Sequence, residues 1–600
     1  MNYTAPLQDM QFVLNELAGL DQVAQLPGCE EATPDVVAAI LEEAGKFAGG
    51  VLAPLNPVGD RSGCRWTDRA VTMPEGFGAA YRQFVDNGWN GLDHDPEFGG
   101  QGLPRVVSAA VREMWKSANH SFALCPMLTG GAIEALELCG TPEQKALYLP
   151  KMIAGEWTGT MNITEPQAGS DLAAIRTRAE PQADGSYRIF GQKIFITYGE
   201  HDMAENIVHL VLARTPTAPP GVKGISLFVV PKFLVNADGS LGARNDAYCV
   251  SIEHKLGIHA SPTCVMSFGD NGANSSGGIG YLVGKENEGL KYMFVMMNSA
   301  RYAVGLEGLG LAEAAYQHAL AYARERIQSR AIEGSADSVA IVQHPDVRRM
   351  LMLMKAQTEA MRALAYVVAA AHDTAIHHAD ADTRKQEQAF VDLMTPVVKG
   401  WLTETANQIA YLGVQVHGGM GFIEETGAAQ FMRDARITTI YEGTTGIQAN
   451  DLIGRKLARE NGATLQTLIA RMRATQAEAA AADDADCRAV AAALAAGIDA
   501  LAASGDYIVA HYGAAVREVA AGAVPFLRLL GIVAGGWLMA RAALAARAKL
   551  GAGGTAASFL AAKIKTARFF AEHVLVEAPG LARSVVAGGA SVLALAEDQL

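Results

Sequence analysis

Apolar residues recur at helical spacing from about Phe12 to Ile153, which predicts a run of amphipathic helices. Two start signals stand out, Thr33-Pro34-Asp35-Val36 and Thr141-Pro142-Glu143-Gln144, each a hydroxyl residue followed by Pro at the first helical position. Between them, residues 95–104 are rich in Gly and Pro and read as a loop, either a plain connector or a wall that lets a ligand approach the backbone. The texture changes near Gly159. Residues 187–196 alternate, 207–213 and 225–230 are short β-branched runs, and Asp184-Gly185, Pro219-Pro220-Gly221 and Asp238-Gly239 punctuate them. Strands joined by turns with no helix between them predict an antiparallel sheet or barrel that ends near Gly284.

Helical spacing returns at Gly289 and persists to about Leu457, with long runs over 301–330, 347–378 and 396–412. Ala303, Gly305, Gly308, Gly310 and Ala312 leave room for a neighbouring helix, and long helices with shorter connections predict an antiparallel bundle. From Ala458 an alanine-rich helical pattern predicts one more domain, with 478–484 as a surface link. The expected fold is mainly α with a central β-barrel: an N-terminal helical domain over 1–158, the β-barrel domain over 159–284, a helical bundle over 285–457 and an additional C-terminal helical domain over 458–600.

At 600 residues the chain is too long for one compact core, which agrees with several domains. It is 50% hydrophobic and 19% charged, which excludes a mainly disordered protein. The net charge of −14 opposes nucleic acid as the main partner. Seven cysteines without a C-x-x-C pair read as reduced core thiols rather than a disulfide framework or zinc site, so a cytoplasmic protein is expected. The first residues lack a basic stretch followed by an apolar one, so no secretory signal is expected. The apolar stretch 524–540 carries Arg528, and its uncharged part is shorter than the roughly 18–20 residues a span needs. It reads as a buried core helix, and no transmembrane span is expected.

The sequence carries no P-loop, no G-x-G-x-x-G between strand and helix, no G-x-S-x-G and no H-E-x-x-H. Three glycine-bearing segments are left. Thr164-Glu165-Pro166-Gln167-Ala168-Gly169-Ser170-Asp171 offers hydroxyls and main-chain N–H groups that suit a polar ring edge or a phosphate, or else forms an ordinary turn. Ile440-Tyr441-Glu442-Gly443-Thr444-Thr445-Gly446 holds an acid between rigid elements beside donors for an anion, or else a solvated Glu in a helix–helix loop. In Gln415-Val416-His417-Gly418-Gly419-Met420-Gly421-Phe422 one glycine would stop a helix, and three beside His417 ask for more.

Taken together, these segments resemble the acyl-CoA dehydrogenases over roughly residues 75 to 457. The match also rests on Gly191-Gln192-Lys193-Ile194-Phe195-Ile196-Thr197, on residues 283–290, on Arg326 and on Met432-Arg433-Asp434-Ala435, all in the family's order and spacing. The N-terminal segment and the extra domain after Leu457 look like a long bacterial subgroup that includes 3-methylmercaptopropionyl-CoA dehydrogenases.

The resemblance implies FAD and an acyl-CoA substrate, fatty acyl-CoA or 3-methylmercaptopropionyl-CoA. It places Met161, Ile163, Thr164 and Ser170 at the flavin ring, Ser170 also near the CoA arm, and Phe195, Ile196 and Thr197 on the strand behind the ring. Phe195 stands where many relatives have Trp, which keeps a flat aromatic. Arg326, Gln415 and Gly419 match positions that reach the flavin of a neighbouring subunit, so a homodimer or dimer of dimers is implied. Thr444 and Gly446 match the pyrophosphate-binding turn, with Gly446 replacing a common Gln. Asn298 and Arg301 match a pair that supports the CoA arm, Tyr441 and Gly443 flank the substrate, and Ala300 replaces the acid of some relatives, so Glu442 is left as the catalytic base. Ser329 and His344-Pro345 depart from the usual pattern near the subunit contact. By resemblance, Glu442 removes the α-proton, its N–H and a flavin hydroxyl hold the thioester oxygen, and electrons pass to electron-transfer flavoprotein. Rival readings on the same scaffold are an acyl-CoA oxidase and a flavin-containing DNA-associated protein, which would show a basic C-terminal face.

Overall fold

Asn206–Ala213 and Ser226–Pro231 are buried at every position, as a sheet covered on both faces requires. Alternate residues enter different cores. Val208, Leu210, Leu212, Leu227 and Val229 pack with Leu149, Met152 and Met293 of the surrounding helices. Val211, Ala213, Phe228 and Val230 pack with Ile189, Met266 and Phe268 of the sheet itself.

The computed structural model describes residues 2–270, 275–552 and 556–600, without the side chains of 295, 551 and 552. They form two compact units interleaved along the chain, one of Phe47–Leu103 and Ala118–Ala303, the other of Asn2–Lys46, Pro104–Ser117 and Val304–Leu600.

In the first unit the hydrogen-bonded strand order is Ala247–Ile252, Thr263–Phe268, Tyr187–Thr197, Gly278–Val283, Ser226–Pro231, Asn206–Ala213, Trp157–Asn162, with Arg178–Pro181 also on Tyr187–Thr197. The neighbours are antiparallel except Trp157–Asn162, which runs parallel to Asn206–Ala213. That edge strand lies against helix His120–Cys139: the Gly159 N–H donates to Thr129 Oγ1 at 3.1 Å. A Cβ on Gly159 would stand 2.5 Å from that of Ala132, so glycine is what lets the helix cover the edge. The start signal at Thr141 is a full capping box with Gln144, opening helix Pro142–Ala154.

The second unit is helical. It takes Val304 onward of helix Gly289–Glu325, then Pro345–His377 and Ala381–His417. The expected break before Pro396 is absent; the proline lies inside the last of these helices. The expected link at 478–484 is also shorter than its composition suggests. Helix Ala463–Ala481 runs through the alanines, and Asp484 caps Ala485–His511 by accepting from the Asp486 and Cys487 N–H groups. Helix Ala523–Ala552 packs on Ala381–His417 through glycine, since a Cβ on Gly531 would stand 2.3 Å from the Trp401 ring. Among the described residues three helical segments, His120–Cys139, Ala485–His511 and Ala523–Leu550, are long and apolar enough to cross a membrane by length and composition; their most apolar windows are 56%, 44% and 83% buried. The sequence alone draws attention only to the last. All seven cysteines are free thiols.

A buried charge network joins the second unit's ends to its middle. Arg362, 1% exposed in its side chain, donates to Asp9, Glu113 and Glu313, each at 2.6 Å, and Tyr366 donates to Glu113. Lys563 of the C-terminal helix Ala557–His573 reaches Asp9 at 2.6 Å and Glu359 at 2.7 Å. Burial alone would raise the Asp9 carboxyl, but Lys563 and Arg362 outweigh it and hold it well below the ordinary carboxylate range. Lys563→Met, which leaves two buried carboxylates short of a cation, is expected to cost about 3–5 kcal/mol and to lower the thermal midpoint by several degrees. Lys549→Ala, at a half-exposed pair with Glu16, should cost about 1 kcal/mol or less. Equal shifts in the two variants, read by thermal denaturation, would show that the buried pair does not anchor the C-terminal helix.

Candidate active site

In the first unit the end of strand Trp157–Asn162 is bound to strand Tyr187–Thr197. Thr160 Oγ1 donates to the Thr197 carbonyl at 2.7 Å, the Ile194 N–H to the Thr164 carbonyl at 2.9 Å, and Lys193 Nζ to the Ile163 carbonyl at 3.0 Å. Ile163, Thr164 and Thr197 are thereby brought to one place, whereas Met161 packs in the helix-facing core and Ile196 in the sheet's own core. Between them a bulge interrupts the ladder, with Cys264 opposite Ile196 but Met266 opposite Lys193. Phe195 sits in this bulge in the left-handed region at φ 60°, and its residue surface is 59% exposed. A large aromatic held in strained backbone and turned to the surface fits a flat ring partner.

The loop leaving Thr164 is organised from inside by Glu165, 3% exposed. Its carboxylate accepts from Lys193 Nζ at 2.8 Å, from the Arg176 N–H at 2.8 Å, and from both the N–H and hydroxyl of Thr177. Ser170 is exposed at the loop's tip, next to Asp171, which accepts from the Ala173 N–H. On helix Gly289–Glu325, Asn298 is exposed, whereas Arg301 is enclosed at 5% exposure and Ala300 at 8%.

In the second unit, Glu442 lies in the turn between Ile437–Thr439 and helix Thr445–Asp451, with φ 55°, followed by Gly443 at φ 88°. The turn is pinned from two sides. Tyr441 Oη donates to Glu307, and Gln448 Nε2 donates to the Glu442 carbonyl at 3.0 Å. At Gly443 the φ of 88° is what calls for glycine, and a Cβ there would also stand 2.8 Å from that amide. Thr444 caps the helix by accepting from the Ile447 N–H, and Thr445 Oγ1 donates to Glu404 at 2.6 Å; Gly446 is uncrowded.

Arg326, exposed, ends the long helix and opens a hairpin in which Ile327 bridges Ala340. The departures noted at Ser329 and His344 are internal to it: Ser329 sits at φ 62°, and a ring N–H of His344 donates to the Gln328 carbonyl at 2.7 Å. Gln415 and Gly419 are exposed at the end of helix Ala381–His417. The glycines there have separate causes. Gly418 turns the chain at φ 60°, Gly421 is within 2.3 Å of the Val414 carbonyl if given a Cβ, and Gly419 touches nothing within 4 Å. His417 stacks between Tyr322 and His318 at 4.3 and 4.8 Å. Sequence reading missed Glu307, Lys116 and Lys399, whose only signal is charge on otherwise apolar helical faces.

Four segments match family domains in order: the acyl-CoA dehydrogenase N-terminal domain at 38–156, the middle domain at 160–271, the C-terminal domain at 287–458 and the acetyl-CoA dehydrogenase C-terminal-like domain at 468–596. A 3-methylmercaptopropionyl-CoA dehydrogenase of Ruegeria pomeroyi is 54% identical over 96% of this chain and 97% of its own. The chain belongs to the acyl-CoA dehydrogenase family. A broad-specificity linear acyl-CoA dehydrogenase of Mycobacterium tuberculosis is 36% identical over 96% of both chains. An acyl-CoA dehydrogenase of Bacillus anthracis, solved in complex with FAD, shares the fold with a TM-score of 0.74 at 21% identity, over 94% of this chain and 90% of that one. The family match starts at residue 38, earlier than the motifs near residue 75 suggest, and it includes the C-terminal domain. Members of this FAD-dependent oxidoreductase family act on acyl-CoA substrates, so the chain is an acyl-CoA dehydrogenase.

The Glu165 cluster gives a pH test. Burial alone would raise this carboxyl, but Lys193 and the Thr177 and Arg176 donors outweigh it and lower it from 4.5 to about 2. A depressed folded value contributes stability above the unfolded value and loses it as pH falls. Between pH 4.5 and about 2 the denaturation midpoint of the wild type is expected to fall more steeply than that of Glu165→Gln. Parallel curves would mean that the carboxylate does not hold the loop.

Proposed function

We propose that this chain dehydrogenates 3-methylmercaptopropionyl-CoA or a fatty acyl-CoA across its α,β bond to the trans-2-enoyl-CoA, with Glu442 as the base. The observation that carries the reading is the turn itself: an acid in left-handed backbone, fixed through Tyr441 on one side and Gln448 on the other, while Ala300 offers no rival carboxylate. The substrate class draws support from the 54% identical relative. Bound FAD would supply the acceptor for the hydride that leaves the β-carbon. Glu442 takes the α-proton, and its main-chain N–H steadies the thioester oxygen as negative charge develops there. Phe195, with Thr164 and Thr197, supplies the face for the flavin ring, and Ser170, Asn298 and Arg301 serve the CoA arm. Thr444 and Gly446 serve the pyrophosphate.

The same reading has the enzyme pass its electrons to electron-transfer flavoprotein and act in the cytoplasm without a membrane span. Burial of 83% of its most apolar window supports the last point for Ala523–Leu550, and carbonate extraction of membranes tests it for all three candidate helices. A homodimer is supported by the apolar surface around Arg326 and Gly419, where Ile327 is 60% exposed and Ile332 and Phe422 are each 84% exposed. Light scattering of the purified protein tests the dimer.

Anaerobic mixing with a panel of acyl-CoA thioesters, followed by flavin absorbance, reads substrate and base together. Glu442→Gln is expected to retain FAD and bind acyl-CoA while bleaching at least about 10²-fold more slowly. Bleaching within a few-fold of wild type would assign the base elsewhere. Phe195→Ala should leave unfolding within about 0.5 kcal/mol, because the ring is mostly at the surface, yet release FAD more readily on dilution. Unchanged retention would remove Phe195 from the flavin face.

A further inference from the structure

Behind the turn that carries Glu442, the interior of the second unit holds charges to which the proposed chemistry gives no role. Glu307 is 0% exposed on helix Gly289–Glu325. Its neighbours Gly305 and Gly308 let Val398 and Leu402 of helix Ala381–His417 approach within distances no Cβ would tolerate, 2.5 and 2.9 Å. The carboxylate that Tyr441 Oη contacts directly is therefore closed off from bulk solvent. Lys116 Nζ stands 3.8 Å from Glu307 Oε1 and is 2% exposed; Lys399 is 0% exposed. The charged groups that face Glu307 are Lys116 on helix Arg105–Ala118, Lys399 on helix Ala381–His417, and Tyr441 and Glu442 on the turn. Arg112 in turn faces Lys116, and Asp434 faces Tyr441.

An apolar trio of similar volume would pack these helices at least as well, because buried ion pairs seldom stabilise more than a hydrophobic isostere. What an apolar trio would lack is the anchor for the Tyr441 hydroxyl and a titratable carboxyl, set between two lysines, that interacts with Glu442. A non-glycine residue in left-handed backbone persists only where its surroundings hold it. We propose that Glu307 is a positioning residue for the base: through Tyr441 it holds the Tyr441-Glu442-Gly443 turn in its strained conformation, and with Lys116 and Lys399 it sets the electrostatic field in which Glu442 takes a proton.

Supporting this, burial raises the Glu307 carboxyl to about 7 against the pull of Lys116 and Tyr441, with Glu442 pushing it the same way as burial. Above about pH 7, where Glu307 is mostly ionised, replacing it by a neutral side chain leaves Lys116 and Lys399 uncompensated and makes Glu442 a weaker base.

The inference rests on Glu442 being the base, and its test separates the two claims. Acetyl-CoA has no β-carbon, so an enzyme can exchange its α-hydrogens with deuterated water but cannot dehydrogenate it. FAD-loaded wild type, Glu307→Gln, Tyr441→Phe, their double variant and Glu442→Gln are compared by mass-detected exchange across pH and by anaerobic bleaching with the best acyl-CoA of the panel. Glu307→Gln is expected to keep its FAD, hold KM within about threefold, slow exchange and bleaching roughly 10–100-fold, and move the exchange midpoint to lower pH. Tyr441→Phe should slow both as well, and the double variant should be no slower than the slower single, since both act along one path. Exchange and its pH midpoint unchanged in both single variants, with Glu442→Gln inactive, would overturn the proposal and leave the base assigned. Exchange surviving in Glu442→Gln would overturn the base assignment itself. If Glu307→Gln fails to fold, Tyr441→Phe decides alone: unchanged exchange and kcat refute the anchor.

Discussion

A guanidinium with its side chain 1% exposed must find acceptors inside the protein, and Arg362 organises the second unit by doing so. Its three carboxylates come from the N-terminal helix Leu7–Phe12, from Arg105–Ala118 and from Gly289–Glu325, segments far apart in sequence. Asp9 then shares itself with Lys563, which brings the last domain into the same network. Two of these helices continue the pattern toward the chemistry. Arg105–Ala118 carries Glu113 for Arg362 and, one turn on, Lys116 for Glu307; Gly289–Glu325 carries Glu313 for Arg362 and Glu307 for Tyr441. The interactions that hold these helices in place and those behind the Glu442 turn are thus carried by the same rigid elements.

Strain is the second common thread. Phe195 and Glu442 are non-glycine residues in left-handed backbone, at φ 60° and 55°, one in each unit. Each is over-determined by its surroundings: Phe195 by a bulge locked between Thr160, Ile194 and the neighbouring strand, Glu442 by Tyr441 and Gln448. Such conformations cost of order 1–3 kcal/mol each and concentrate where a side chain must be aimed rather than merely accommodated.

Much of this was legible in the residues. The switch from helical spacing to an alternating stretch and short β-branched runs locates the sheet, because strands buried on both faces are nearly all apolar, as 207–213 is apart from His209. The capping box at Thr141 and the buried helix over 524–540 follow from local chemistry that tertiary structure does not override. The glycine segments pointed to Thr164, Gly419 and Glu442 because turns leave a composition behind. Other features left no such trace. Pro396 reads as a helix start, yet packing carries the helix across it; 478–484 reads as a link, yet alanine favours continuing the helix to Ala481. The bulge at Phe195 depends on register, and the pairing of Glu307 with Tyr441 depends on which helical faces meet, so neither is local in sequence.

The seat of Trp401 against Gly531 sets how this architecture can be recombined. One methyl group at position 531 would fall 2.3 Å from the indole, and Gly535 faces the far edge of the same ring at 2.9 Å. A C-terminal region grafted from a relative would therefore have to bring small residues at both places together with the lysine that meets Asp9 and Glu359. A chimera lacking the small residues would clash with Trp401, and one lacking the lysine would leave Asp9 to Arg362 alone and Glu359 to Lys355 alone. The final domain is fitted to the dehydrogenase bundle at single positions distant in sequence, Trp401, Glu359 and Asp9.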